Sequence, residues 1–138
     1  MKDKAFLDTN ILVYCFDERD LQKQQVAREL VKTLVKTKRG RISTQSLQEF
    51  YNVVTKRLKC DKNAARLDVE RYAKMFPVNN NTPKDILRAI SINIQTQFTI
   101  YDSLIIAAAI AEGCEVVYSE DLNDGQSVDG VQIVNPFK

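Results

Sequence analysis

Four acidic residues stand where the sequence changes character. They are Asp8 after Lys4-Ala5-Phe6-Leu7, Glu49 in Ser46-Leu47-Gln48-Glu49, Asp102 in Thr99-Ile100-Tyr101-Asp102, and Asp121 after Ser119-Glu120. Each has an ordinary structural use. Glu49 and Asp102 follow a Ser and a Thr at the spacing of a helix capping box. Asp8 suits the cap of a short helix beginning near Ile11, and Asp121 a turn near Asn123-Asp124-Gly125. Read together, all four fall at strand ends or in the first turn of a helix, positions that can share one edge of a wound α/β sheet. Four carboxylates in one pocket repel each other and stay ionised only beside a cation. The sequence contains no histidine. A hard divalent ion with oxygen ligands, Mg2+ or Mn2+, therefore fits this set better than zinc.

The missing histidine also removes Ser-His-Asp and Cys-His nucleophile chemistry and histidine acid-base catalysis. Cys15, Cys60 and Cys114 are odd in number, far apart and outside any CxxC pair, so they read as small packed thiols. Asp8-Thr9-Asn10 is not the Asp-x-Asp of a phosphoryl-aspartate phosphatase, and Asp8 lacks the adjacent acid of a phosphoryl-accepting switch domain. No GxxxxGK[ST] loop is present.

The elements that must position the acids follow from periodicity. Lys4 to Leu7 reads as a strand followed by a polar turn and a short helix. Asp20 caps a helix to about Lys38, ended by Gly40. Arg41 to Thr44 is a second strand, and Ser46 opens a helix through Leu58. A further helix covers Lys62 to Met75, and Pro77-Val78 is extended. Thr82-Pro83 opens a helix with Leu87, Ile90 and Ile94 facing inward. Thr99 opens an apolar helix stopped by Gly113. Glu115 to Tyr118 and Val131 to Val134 are the last strands. Alternating strands and helices predict an α/β fold with a mostly parallel sheet covered on both faces. The absence of linkers and repeats makes residues 1–138 one domain. No apolar run is long enough to cross a membrane and Met1-Lys2-Asp3-Lys4 leads into no apolar signal segment, so the expected location is the cytoplasm.

The net charge of +2 conceals an uneven distribution: residues 22–74 carry +9 and the remainder −7. Such asymmetry suits a surface for a polyanion and a separate site for a cation, and equally the solvated Lys-rich faces of amphipathic helices. Lys38, Arg39, Arg41, Lys56, Arg57 and Lys59 are the candidate phosphate contacts. Tyr51 and Tyr101 are candidate base-stacking residues, although core packing is the commoner use of such aromatics.

The run Phe6-Leu7-Asp8-Thr9-Asn10-Ile11-Leu12, with Ser46 to Phe50, Tyr101 to Leu104 and Ser119 to Leu122, resembles the PIN-domain nucleases over essentially the whole chain. In style it is most similar to the VapC toxins of toxin–antitoxin pairs. That resemblance implies a three-layer α/β/α fold with a central parallel sheet. It also implies a Mg2+- or Mn2+-dependent endoribonuclease acting on tRNA or ribosomal RNA and leaving 5′-phosphate and 3′-hydroxyl ends. A homodimer and a VapB-like antitoxin, whose C-terminal tail enters the active-site groove, are the implied partners. Asp8 and Asp102 would be the main metal ligands and Asp121 would complete the set directly or through water. Glu49 would orient a water or hold a second ion. Thr9, Asn10 and Ser119 would steady these carboxylates. Asp124 is a fifth acid better explained as a turn residue, and Glu120 is expected to point away. The rival is a non-catalytic module of the same fold that binds RNA or protein, which need bind no metal at the acids.

Overall fold

Strand β1 (Ala5–Leu7) divides the core in two. Ala5 and Leu7 pack into one cluster with Ile11, Leu12, Ala27, Leu34, Ile42, Phe50 and Tyr72, while Phe6 packs into another with Ala89, Ile92, Ile105, Ile106, Val117 and Ile133. This is the alternation of a strand buried on both faces. The structure is a computed structural model that describes residues 3–138; the start of the charged N-terminal segment, Met1-Lys2, lies outside them.

Helices α1 (Thr9–Tyr14), α2 (Leu21–Lys36), α3 (Thr44–Lys56) and α4 (Lys62–Met75) serve the first cluster. Helices α5 (Pro83–Gln95) and α6 (Ile100–Ala111) serve the second. Between them lies a six-stranded sheet that adds β2 (Gly40–Ser43), β3 (Val78–Asn79), β4 (Val116–Tyr118), β5 (Ser127–Val128) and β6 (Val131–Val134) in the order β3-β2-β1-β4-β6-β5. Every pairing is parallel except β5 with β6. The architecture is the expected three-layer α/β/α fold. Strand order reverses direction at β1, with β2 on one side and β4 on the other, so the crevice beyond the carboxyl ends of β1 and β4 is the switch point where such sheets bind ligands. Among the described residues no helix is long and apolar enough to cross a membrane.

Three local readings need correction. Gly40 does not end α2. The left-handed residue there is Lys38 (φ 58°), whose amide reaches back to Val35, and Gly40 is the first residue of β2. Its lack of a side chain serves packing, since a Cβ at Gly40 would lie 2.5 Å from Phe76 Cε1. Helix α3 starts before Ser46: Ser43 is its cap, and Ser43 and Ser46 form the capping box. In α5, Ala89 and Ile92 are the inward residues, whereas Leu87, Ile90 and Ile94 are 66%, 40% and 76% exposed. Short β5 escaped the sequence reading, because Ser127-Val128 is too brief to show alternation.

Gly40→Ala is predicted to destabilise the protein by about 1–3 kcal/mol, because the buried Phe76 ring must shift to admit the methyl group. Chemical denaturation of the variant measures this; an unchanged midpoint would refute the packing role.

Candidate active site

Asp8 follows β1 directly and caps α1. Its Oδ1 accepts the Thr9 amide at 2.7 Å, and its Oδ2 accepts the Ser119 hydroxyl at 2.8 Å and the Asn10 side-chain amide at 3.4 Å. Ser119 follows β4, the neighbour of β1, and the Asp8 amide donates to the Tyr118 carbonyl at 3.0 Å, so the two strand ends meet at this carboxylate. Asn10 bridges further, donating to Ser119 Oγ at 3.3 Å and to Asp121 Oδ2 at 3.1 Å. Its own side-chain carbonyl accepts the Glu120 amide at 3.2 Å. Thr9 donates its hydroxyl to Glu49 Oε1 at 2.7 Å. Thr9, Asn10 and Ser119 thus each touch one or more of the acids.

Glu49 stands in the second turn of α3, past the capping box, and is not used as a helix cap. Asp102 is in the first turn of α6. Its amide donates to Thr99 Oγ1 at 3.1 Å, and among the described residues its carboxylate makes no return bond to close a box. Asp8, Glu49, Asp102 and Asp121 line one pocket of about 440 Å³, together with Thr9, Asn10, Tyr14, Asp17, Arg19, Asn52, Arg57 and Glu120. The four acids come from four separate stretches of chain.

The electrostatics of the pocket are those of crowded negative charge. Burial raises the Asp8 carboxyl to about 6; the hydrogen bonds from Ser119 and Thr9 oppose that rise, and the nearby Glu49 and Asp121 add to it. Asp102 is also raised, first by burial and further by Asp121 and Glu49, against the Thr99 hydrogen bond. All the donors are oxygens, and a hard divalent cation would relieve the repulsion directly. Among the described residues no three acidic or cysteine side chains form a ready-made ligand set. The acidic side chains that line the pocket offer oxygen ligands, which would suit a hard ion that keeps several of its own waters.

Other expected residues fall elsewhere. Asp124 accepts the Asn135 amide at 2.7 Å, a structural bond outside the pocket. Glu120 does line the pocket, where Tyr14 donates to it at 2.6 Å and Lys23 pairs with it, so its charge is already balanced. Lys38, Arg39 and Arg41 precede or open β2, at the end of the sheet opposite Asp8, and Arg41 pairs with Glu112 at 3.6 Å. Of the six basic candidates only Arg57 lines the pocket. Tyr51 packs against the core, and Tyr101 is 65% exposed. Sequence reasoning missed Gln45. This buried side chain donates to Glu49 Oε2 and to the Tyr101 carbonyl, both at 3.3 Å, and so ties α3 to the turn of α6 that carries Asp102. Its i,i+4 spacing from Glu49 was the available signal.

The model of the PIN domain matches residues 5–124. The chain belongs to the PIN-domain family. No curated relative matches it in sequence. Among solved structures it is similar in fold to a toxin–antitoxin complex from Klebsiella pneumoniae (TM-score 0.70, 19% identity, 96% of this chain and 98% of that one). It is similarly close to the DNA-bound VapBC of Salmonella typhimurium (0.70, 20%, 96% and 97%). A third is VapC20 of Mycobacterium tuberculosis, a sarcin–ricin loop cleaving toxin (0.66, 18%, 86% and 90%).

The raised Asp8 carboxyl carries a stability consequence. Its folded value of about 6 lies above the ordinary 3.8, so its contribution is fully present below about pH 4 and is lost as pH rises through 6. The ionised group then costs on the order of 3 kcal/mol in metal-free protein. In EDTA the melting temperature of wild type should fall across that interval, whereas Asp8→Asn should be flatter and melt higher at about pH 8. Mn2+ should raise the wild-type value most at neutral pH. Parallel pH profiles for the two proteins would rule out a buried, titrating Asp8.

Proposed function

We propose that this protein is a metal-dependent endoribonuclease of the VapC type, with Asp8, Glu49, Asp102 and Asp121 as its catalytic carboxylates. The observation that carries the reading is the meeting of these four acids in one pocket at the switch point of the sheet. Asp8 and Asp102 would hold Mg2+ or Mn2+, and Asp121, steadied by Asn10, would complete the set. Glu49, fixed by Thr9 and Gln45, would orient the attacking water. The ion, when bound, supplies Lewis acidity toward the scissile phosphodiester. Thr9, Asn10 and Ser119 would hold the carboxylate oxygens in place, so that little reorganisation is needed during reaction.

Similarity in fold to a sarcin–ricin loop cleaving toxin supports a structured RNA, tRNA or ribosomal RNA, as substrate. Similarity to VapBC complexes supports a VapB-like antitoxin as partner. Its C-terminal tail would enter the carboxylate pocket, and a groove of about 470 Å³ between α2 and α4 suits another segment of such a partner. The groove is lined by Phe16, Val31, Val35, Tyr72 and Met75 and rimmed by Arg28, Lys32 and Lys36 and by Arg71, which pairs with Asp68 at 2.9 Å. An apolar floor with a basic rim matches an amphipathic antitoxin segment with acidic flanks. The exposed Leu87, Ile90 and Ile94 share one face of α5 at i, i+3 and i+7, a stripe that a second copy of the chain would cover in a homodimer.

Purified, partner-free protein is expected to cut total tRNA or ribosomal RNA into discrete fragments with Mg2+ or Mn2+. Cleavage should stop in EDTA and drop at least about a hundredfold in Asp8→Asn. Equal cleavage by wild type and variant would assign the activity to contamination. No cleavage together with no Mn2+ binding would favour a non-catalytic module. Sedimentation should give a dimer for wild type and a monomer for Leu87→Glu; a monomeric wild type removes the dimer. Met75→Glu, at a 43% exposed groove position, should abolish co-purification with an antitoxin encoded alongside the chain. Undiminished co-purification would place that partner elsewhere.

A further inference from the structure

The pocket that gathers the acids also holds two arginines of different character. Arg19 lies in the loop between α1 and α2 and Arg57 at the C-cap of α3. Arg19 is gripped by Asp17: its Nε donates to Oδ1 at 2.9 Å, its Nη2 to Oδ2 at 2.8 Å, and its backbone amide to Oδ1 at 3.0 Å. The Asp17 side chain is 7% exposed and the Arg19 side chain 70% exposed. An exposed pair of this kind adds little stability. Its geometric effect is larger, because the buried carboxylate fixes the plane of the guanidinium. Nη1 and the outer N–H of Nη2 remain free to donate at the pocket. Among the described residues Arg57 forms no ion pair, and its one hydrogen bond is from its backbone amide to Val53, so its charge stays uncommitted.

A nuclease pocket lined by acids alone would repel a polyanion. Glu120 is balanced by Lys23 and Asp17 by Arg19, which leaves the four clustered carboxylates at one part of the pocket and Arg57 as its uncompensated cation. We propose that Arg19 and Arg57 form a phosphate subsite that takes a backbone phosphate adjacent to the one at the carboxylates and so sets the register of the RNA strand. This rests on the ribonuclease reading. Arg57 supplies charge and Arg19 supplies direction, through donors already aligned before the strand arrives. Both are positioning residues for the strand, and neither needs to touch the reacting atoms.

The test is fluorescence anisotropy of a labelled single-stranded RNA with the full chain in EDTA, where cleavage is off, across a salt series. Michaelis kinetics with Mn2+ run alongside. Arg19→Gln and Arg57→Gln should each weaken binding on the order of tenfold and reduce the slope of log affinity against log salt by about 0.7. Both should raise KM more than they lower kcat. Arg19→Lys should recover the salt slope without the full affinity, since it keeps the charge and loses the fork. Arg66→Gln, exposed on α4 and outside the pocket, is the control and should match wild type. Pocket variants that bind and cleave like the control would overturn the subsite while leaving the nuclease reading intact. A wild type that neither binds nor cuts RNA would overturn the nuclease reading, and the subsite with it.

Discussion

A carboxylate kept out of water at the junction of β1 and β4 is the constraint on which the site depends. Three hydrogen bonds reach Asp8, yet burial outweighs them and holds its carboxyl near 6. The balance is set by strand register. Leu7 pairs with Tyr118, which places Asp8 beside Ser119 and brings the Ser119 hydroxyl under the carboxylate. A slip of one residue would turn Phe6 out of its cluster and present Leu7 to the wrong face. The core thereby enforces the geometry of the site. The packing of Phe6, Val117 and Ile133 on one side, and of Leu7, Ile42 and Phe50 on the other, holds two strand ends together despite the charge placed between them.

Much of this was legible in the sequence because local and global signals agreed. Phe6-Leu7 followed by Asp-Thr-Asn marks a buried strand ending at a cap, and Ser119 with Asp121 recurs after the other central strand. The clustering of the acids followed from the rule for wound sheets. What failed did so where two physical uses of a residue look the same in one dimension. Gly40 after a helical run suggests a helix stop, but Lys38 takes the left-handed turn and Gly40 makes room for Phe76. Ser46 and Glu49 have the spacing of a capping box. Ser43 and Ser46 form that box one turn earlier, which frees Glu49 to face the pocket. Helix α5 is apolar on two faces, and periodicity alone does not say that Ala89 and Ile92 face the core while Leu87, Ile90 and Ile94 face outward.

The basic segment illustrates a different limit. An excess of positive charge between residues 22 and 74 is real, but its members go to different places. Arg41 pairs with Glu112 at the end of α6, and Lys23 is spent on Glu120 and on the rings of Tyr14 and Phe137. Arg28, Lys32, Lys36 and Arg71 surround the groove between α2 and α4, and Arg57 alone of the expected phosphate contacts reaches the pocket. Summed charge over a chain segment does not say whether its cations face a ligand, a partner or only water. The fold sorts these cations, placing those of α2 and α4 around an apolar groove and Arg57, at the end of α3, in the lining of the pocket that holds the carboxylates.

That separation bears on how the pocket would be used. Crowded carboxylates favour protons or cations, and a polyanion entering among them is opposed until their charge is lowered. On the proposed reading, cation binding and RNA binding at the pocket are therefore coupled, each strengthening the other by the same factor. The hydrogen bonds from Thr9, Asn10, Ser119 and Gln45 shape this coupling, since they fix where the negative charge lies without neutralising it. Glu120 is excluded from it, being paired with Lys23 at the rim. Among the described residues none of the four clustered carboxylates at the switch point forms an ion pair. On the proposed reading it is this unpaired remainder, more than the total number of acids in the pocket, that a divalent ion would meet.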